Sequence, residues 1–224
     1  MATTRKDSPR QPDFAHLRAA MVQRHVAERG IKDERILQAM RDVPRHLFVP
    51  TLVAEKAYGS GALPIGAKQT ISQPYIVARM IELLDLTGKE KVLEIGTGTG
   101  YQTVVLSKLC AKVFSIERIN ELALRAAELI RTLKIHNASV EVFDGTYGWS
   151  DQAPFDRIIV AAAAPEVPKP LLEQLSRTGK LVIPIGPEGN QRLARVMRVG
   201  TRLQVEDCGV AEFVPLVGKF GWKE

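Results

Sequence analysis

The chain has only two cysteines and four histidines among its 224 residues, and none is spaced for metal or thiol chemistry. Cys110 and Cys208 form no CxxC pair. His16, His25, His46 and His136 are scattered, with no HExxH motif. No metal is therefore expected, and the cysteines read as small buried hydrophobes. Long apolar runs are missing too. The longest strongly apolar uncharged run extends from Ile158 to Ala164, far short of the roughly 18 residues a membrane span needs, so no membrane association is expected. Residues 1–13 alternate charges, prolines and polar groups without an apolar core, which does not read as a secretory signal; the expected location is cytoplasmic. Aromatic residues make up 6% of the chain. Residues 1–49 carry ten Lys and Arg against six Asp and Glu, but no aromatic residues interleave them as stacking platforms. A solvated helical surface is expected there, with no nucleic-acid partner.

The chain does contain enough for a core: 45% of its residues are apolar and 25% charged, with a formal net charge of +6. That is an ordinary globular composition. Residues 1–12 lack periodicity and read as a flexible tail. From 13 to 88 the pattern is helical, with Phe14, Leu17, Met21 and Val22 at helical spacing. Asp33 is placed to cap a second helix carrying Ile36, Leu37 and Met40, and a third helix begins at Pro74. Between them the stretch 58–73, with Gly59, Gly61, Pro64 and Gly66, reads as a loop too long to be only a connector. From 89 to 186 short β-rich runs at 91–95, 112–116, 140–143, 155–161 and 180–185 alternate with helices at 101–109, 121–133 and 169–175. Right-handed crossovers then give an α/β fold: a Rossmann-like, doubly wound, mainly parallel sheet with helices on both faces and an N-terminal helical extension. Residues 187–224 add alternating runs at 192–199 and 202–211, expected as a C-terminal antiparallel strand pair.

The sharpest local signal is Val92-Leu93-Glu94-Ile95-Gly96-Thr97-Gly98-Thr99-Gly100-Tyr101, an apolar strand entering a glycine turn that opens a helix. Glycines there admit positive φ and close approach of a ligand to the backbone. A dinucleotide fingerprint would place its third small residue at position 101, where Tyr101 stands. Glu117 closes the next strand, where a carboxylate can accept both ribose hydroxyls, and Asp144-Gly145 closes the third, where an acid can meet an adenine amino group. The carboxylate at Glu117 alone is compatible with NAD as well as with S-adenosylmethionine, and Asp144-Gly145 alone is compatible with a plain turn.

VLEIGTGTGYQT, the downstream SIER at 115–118, FDRIIVAAAAPEVP from Phe155, GKLVIPIG from Gly179 and the upstream LPIGAKQTISQPYIVARM from Leu63 together resemble the class I S-adenosylmethionine-dependent methyltransferases. Within that class they resemble the protein-L-isoaspartate O-methyltransferases, over residues 14–217. Lys68 stands where that family's loop often carries glycine. The resemblance implies one methyltransferase domain over 13–224: helices and substrate loop to 88, cofactor core from 89 to 186, strands beyond. It implies methyl transfer from S-adenosylmethionine, leaving S-adenosylhomocysteine, to the free α-carboxylate of L-isoaspartyl residues in damaged proteins. The ester then cyclises to a succinimide. Cofactor contacts are expected from Glu94, Gly96, Thr97, Gly98, Gly100, Glu117, Asp144 and Gly145. Peptide contacts are expected from Gln69, Thr70, Ile71 and Ser72 and from Val214, Pro215 and Leu216, with Ser72 as the active-site residue.

The chemistry is compatible with this set. A carboxylate is already ionised at neutral pH, so the acceptor needs orientation rather than a general base. Ser72 can donate to one carboxylate oxygen; by position alone the reading that it caps the helix starting at Pro74 is favoured, and the family resemblance reverses that preference. Ala161 to Ala164 at the end of the fourth core strand offer no acceptor for an amine. The alternative is a methyltransferase of the same fold acting on RNA or a small molecule, from which only the loop between Leu63 and Pro74 discriminates. No GxSxG elbow supports a serine hydrolase.

Overall fold

The computed structural model describes residues 13–223; the expected tail over 1–12 lies outside them. Helix α1 (Phe14–His25) starts at Asp13, whose side chain accepts the His16 amide, and α2 (Glu34–Asp42) starts at Asp33, whose side chain accepts the Arg35 amide. Each cap satisfies one amide the first turn would otherwise orphan. Short 3-10 turns at Arg45–Phe48 and Thr51–Tyr58 follow. The stretch expected as loop then contains a hairpin, β1 (Leu63–Gly66) and β2 (Gln69–Ile71), ahead of α3 (Pro74–Leu83).

The core alternates β3 (Lys91–Ile95), α4 (Tyr101–Ser107), β4 (Lys112–Glu117), α5 (Asn120–Thr132), β5 (Ala138–Val142), β6 (Phe155–Val160), α6 (Lys169–Glu173) and β7 (Leu175–Ile185), and ends with β8 (Gln191–Val199) and β9 (Arg202–Ala211). These seven strands form one sheet in the order β5-β4-β3-β6-β7-β8-β9. Pairing is parallel from β5 through β7 and antiparallel across β7-β8-β9. The chain builds outward from β3 to β5 and then crosses to β6 on β3's other side. A crevice opens where neighbouring connections diverge in this way, at the carboxyl ends of the strands.

Alternation along the strands fixes two apolar faces. Val92, Val113, Ile159 and Val182 join the cluster that holds α1 to α5, while Leu93, Ile95, Phe114, Ile116, Ile158 and Val160 pack with Leu171 and Leu175 on the other face. Each fully buried aliphatic side chain contributes about 1.5–3 kcal/mol. Among the described residues no helix is long and apolar enough to cross a membrane.

Most boundaries shift from the sequence reading by one or two residues, and one shifts by more. β7 begins at Leu175, not 180, because buried Leu175 pairs with Phe155 before the register shifts towards Arg157 and Lys180. α6 is correspondingly short. The β1-β2 hairpin was hidden because two short strands separated by a two-residue turn lack the alternation that marks longer ones.

That turn consists of Ala67 (φ 49°) and Lys68 (φ 57°). Two-residue hairpin turns of the primed type require positive φ at both positions, and a side chain in the left-handed region costs about 1–2 kcal/mol. Lys68 thus keeps the backbone a glycine would adopt freely. Lys68→Gly relieves that strain but loses part of it to greater freedom in the unfolded chain. A net gain of about 0.5–1 kcal/mol is expected, read as a higher midpoint in urea with an unchanged slope.

Candidate active site

A cleft opens at the carboxyl ends of β3, β4 and β6. One side is the glycine turn. Gly96 (φ 91°), Gly98 (φ 54°) and Gly100 (φ 85°) all lie in the left-handed region. The Gly96 and Thr97 amides donate to the Ile116 carbonyl at 2.8 and 3.2 Å, which ties the turn to β4. The Gly98 amide donates to Glu117 Oε2 at 2.8 Å, and Ile119 N donates to Oε1 at 2.9 Å. The Glu117 carboxylate is therefore fixed by one backbone donor on each oxygen. Each oxygen has a second acceptor site, and the residue lines the cleft.

The arrangement fits a nucleoside carrying a vicinal diol. A Cβ at Gly98 would meet only Ile65 Cδ1, at 3.8 Å, so the space above that residue belongs to the cleft. Gly96, Thr97 and Gly145 also line it.

Three further residues expected at the cofactor, Gly100, Glu94 and Asp144, do not line the open cleft, and each has a physical task. Gly100 opens α4, and a Cβ there would lie 3.3 Å from that of Ala126, so its glycine serves close packing on α5. Glu94 is fully buried and accepts from Gln102 Nε2 at 2.9 Å, Thr103 Oγ1 at 2.5 Å and Ser115 Oγ at 2.6 Å. Asp144 accepts from the Thr146 amide and hydroxyl at 2.9 and 2.7 Å and, through its other oxygen, from the Lys219 amide at 2.9 Å. It fastens the C-terminal segment, and a Cβ at Gly218 would come within 2.2 Å of its Oδ1.

The opposite side is the β1-β2 hairpin and the segment beyond it. Gln69, Thr70, Ile71 and Ser72 line the cleft, as do Val214, Pro215 and Leu216. The latter group reaches it because Ala163 N donates to the Val214 carbonyl at 2.8 Å and Leu216 N donates to the Ala163 carbonyl at 2.7 Å. Trp222 Nε1 adds a bond to the same carbonyl at 2.9 Å. The Ala161 to Ala164 run thus anchors a strap, in addition to keeping the strand end narrow.

Ser72 does not cap α3. The residue before that helix is Gln73, and no side chain makes a capping bond. Ser72's carbonyl accepts from Arg45 Nη2 at 2.7 Å, while its half-buried side chain borders the cleft.

Sequence reading missed Tyr101 and Gln102 as lining residues and Arg45 altogether. Tyr101 was judged only by what it excluded, and Arg45 lies among other arginines with no motif to single it out. Among the described residues no three His, Cys, Asp or Glu side chains gather as a metal site would require.

A glycine turn and a strand-end carboxylate around one cleft, in a sheet finished by an antiparallel pair, define a Rossmann-like methyltransferase. The family model for protein-L-isoaspartate(D-aspartate) O-methyltransferase matches residues 16–221. The chain belongs to that family. It is 49% identical over 212 residues to a protein-L-isoaspartate O-methyltransferase of Trichlorobacter lovleyi, covering 94% of this chain and 98% of that one. A relative named protein-L-isoaspartate O-methyltransferase 1, from Pelobacter propionicus, is 50% identical over 215 residues, covering 94% and 100%. A solved protein-L-isoaspartate O-methyltransferase superposes with a TM-score of 0.81 at 25% identity, over 92% of this chain and 67% of that one. A Plasmodium falciparum structure named a beta-aspartate methyltransferase, in complex with S-adenosyl-L-homocysteine, gives 0.77 at 24% identity, over 88% and 96%, and bears on the fold.

Burial drives the Glu94 carboxyl up to about 7 despite its three hydrogen-bond donors. Because its folded value lies above the unfolded one, the stabilisation is complete below about pH 4.5 and is lost as pH rises through 7. In Glu94→Gln that dependence is absent. Relative to the parent, the variant should gain up to about 3 kcal/mol between pH 4.5 and 8, seen by urea unfolding at several pH values.

Proposed function

We propose that this chain methylates the free α-carboxylate of L-isoaspartyl residues in damaged proteins, in the cytoplasm, with the two sides of the cleft dividing the work. The reading is supported above all by the convergence of Ser72 and Glu117 on one cleft, from elements 45 positions apart in the chain, in a member of this family. When bound, S-adenosylmethionine supplies an electrophilic methyl group on a sulfonium.

Glu117 holds the ribose hydroxyls with its remaining acceptor sites, since its carboxylate is already oriented by two amides. Gly96, Thr97 and Gly98 let the ligand lie against backbone. Gly145 borders the nucleoside's other end beside Asp144, whose remaining acceptor capacity can take the adenine amino group, while Gly100 and Glu94 act from behind by keeping that backbone in place. On the acceptor side, Ser72 donates its hydroxyl proton to one carboxylate oxygen and leaves the other to attack. Thr70, Ile71 and Gln69 guide the peptide on one flank and Val214, Pro215 and Leu216 on the other. No residue has to remove a proton, because the acceptor arrives ionised. Catalysis then depends on alignment at about 3–3.5 Å and on excluding water from two charged partners. The small side chains of Ala161 and Ala162 fit a bulky peptidyl acceptor and provide no amine-binding carbonyl or amide of a side chain.

Two substitutions test this division. Glu117→Ala should weaken S-adenosylmethionine binding by about 1.5–3 kcal/mol, the value of hydrogen bonds to a charged group, with little change in turnover once the cofactor saturates. Calorimetry measures it, and an unaltered dissociation constant would remove Glu117 from the ribose. Ser72→Ala should slow methyl transfer to an isoaspartyl peptide by about tenfold or more while cofactor affinity stays level. Full activity in that variant, with a matched aspartyl peptide inert, would keep the acceptor but take Ser72 out of the reaction.

A further inference from the structure

We propose that Arg45 is a positioning residue for the acceptor carboxylate, holding Ser72 from behind and placing a positive charge beneath the substrate loop. The proposal rests on the reading of Ser72 just given.

Arg45 is completely buried in the 3-10 turn Arg45–Phe48. Its Nε donates to the Ala57 carbonyl at 2.8 Å and its Nη2 to the Ser72 carbonyl at 2.7 Å, while Nη1 has no hydrogen-bonding partner. Its guanidinium carbon lies 4.7 Å from the Tyr101 ring centroid, and the buried Tyr101 hydroxyl also lacks a partner. No carboxylate among the described residues forms an ion pair with it. The titratable groups acting on it are Tyr101 and Tyr58, and His46 and Arg18 stand one step further out on the Tyr58 hydroxyl.

Fully buried arginines are ordinarily paired with an acid, because an isolated charge is expensive to remove from water. Here the two cleft residues it touches are Ser72, on the acceptor side, and Tyr101, the first residue after the glycine turn. Arg45 therefore links the two halves of the site through one rigid, forked cation. Its missing counter-charge matches the acceptor, which must be bound as a carboxylate. In a weakly screened interior a cation favours that ionised form over the protonated one.

The experiment compares the parent with Arg45→Gln and Arg45→Lys, and includes Ser72→Ala. An isoaspartyl peptide carrying ¹³C in its α-carboxyl group is titrated by NMR, free and bound to the S-adenosylhomocysteine complex. In the parent, the bound carboxyl should titrate about one pH unit or more below the free peptide. Arg45→Gln should raise the peptide KM about tenfold and move the acid limb of kcat upward by about one unit, equivalent to that tenfold, with cofactor affinity unchanged. Arg45→Lys should restore the acid limb but not the full kcat, because an ammonium cannot reproduce the fork. A merely structural role would lower the active fraction without moving the acid limb. A bound carboxyl that titrates like the free peptide in the parent overturns the proposal even where Arg45→Gln fails to fold, as does a folded Arg45→Gln with parental KM and acid limb. If Arg45→Gln is unaffected while Ser72→Ala is slow, only the Arg45 proposal fails. If Ser72→Ala is fully active, the underlying reading fails.

Discussion

The hydrogen bond from the Gly98 amide to the Glu117 carboxylate joins the ends of two neighbouring strands, and one side of the cleft takes its shape from it. A turn with three left-handed glycines is intrinsically soft. Here it is held from below by the amides on Ile116, from the side by Glu117 and from within by the Glu94 network, in which Ser115 also shares a short hydrogen bond with Thr97, 2.6 Å between hydroxyl oxygens. The glycines supply permissive backbone and the carboxylates remove the freedom that comes with it. Preorganisation of this kind is what a reaction dependent on alignment demands, since the ordering cost is met during folding and not at the transition state.

The acceptor side is built differently. It uses no strand of the main sheet but a hairpin inserted before α3 and a strap after β9, fastened at Ala163, Asp144 and Thr146. The strap brings Phe220 against Tyr147, with ring centroids 5.1 Å apart. One half of the site is therefore a property of the fold, and the other half is a pair of additions laid over it. That separation explains how a common Rossmann-like sheet can be directed to a carboxylate on a polypeptide without altering its glycine turn.

Much of this was legible in the sequence. The βα alternation from Lys91 to Ile185 gave the parallel sheet, because buried strands and crossover helices have distinct periods, and the antiparallel finish followed from two alternating runs with no helix between them. Glycines and a strand-end carboxylate could be singled out because their spacing is tied to backbone geometry. What could not be read were contacts made across long sequence distances by residues of ordinary type. Nothing in the sequence shows that Asp144 accepts from Lys219 N, or that three donors close over Glu94. Arg45 carries no pattern at all. Its significance is the absence of an acidic partner, which only a three-dimensional arrangement can reveal.

The strap also bears on when the site exists. Leu216 lies well over a hundred positions after Gly98, yet both line one cleft. Loop closure over such a distance is slow relative to local helix and turn formation. On the ribosome the nucleoside side can take shape while the acceptor side still has only the hairpin, and the cleft acquires its second flank only after the last strands have docked. A nascent or C-terminally clipped chain would therefore hold the half of the site proposed for the methyl donor without the flank proposed to guide a peptide into it.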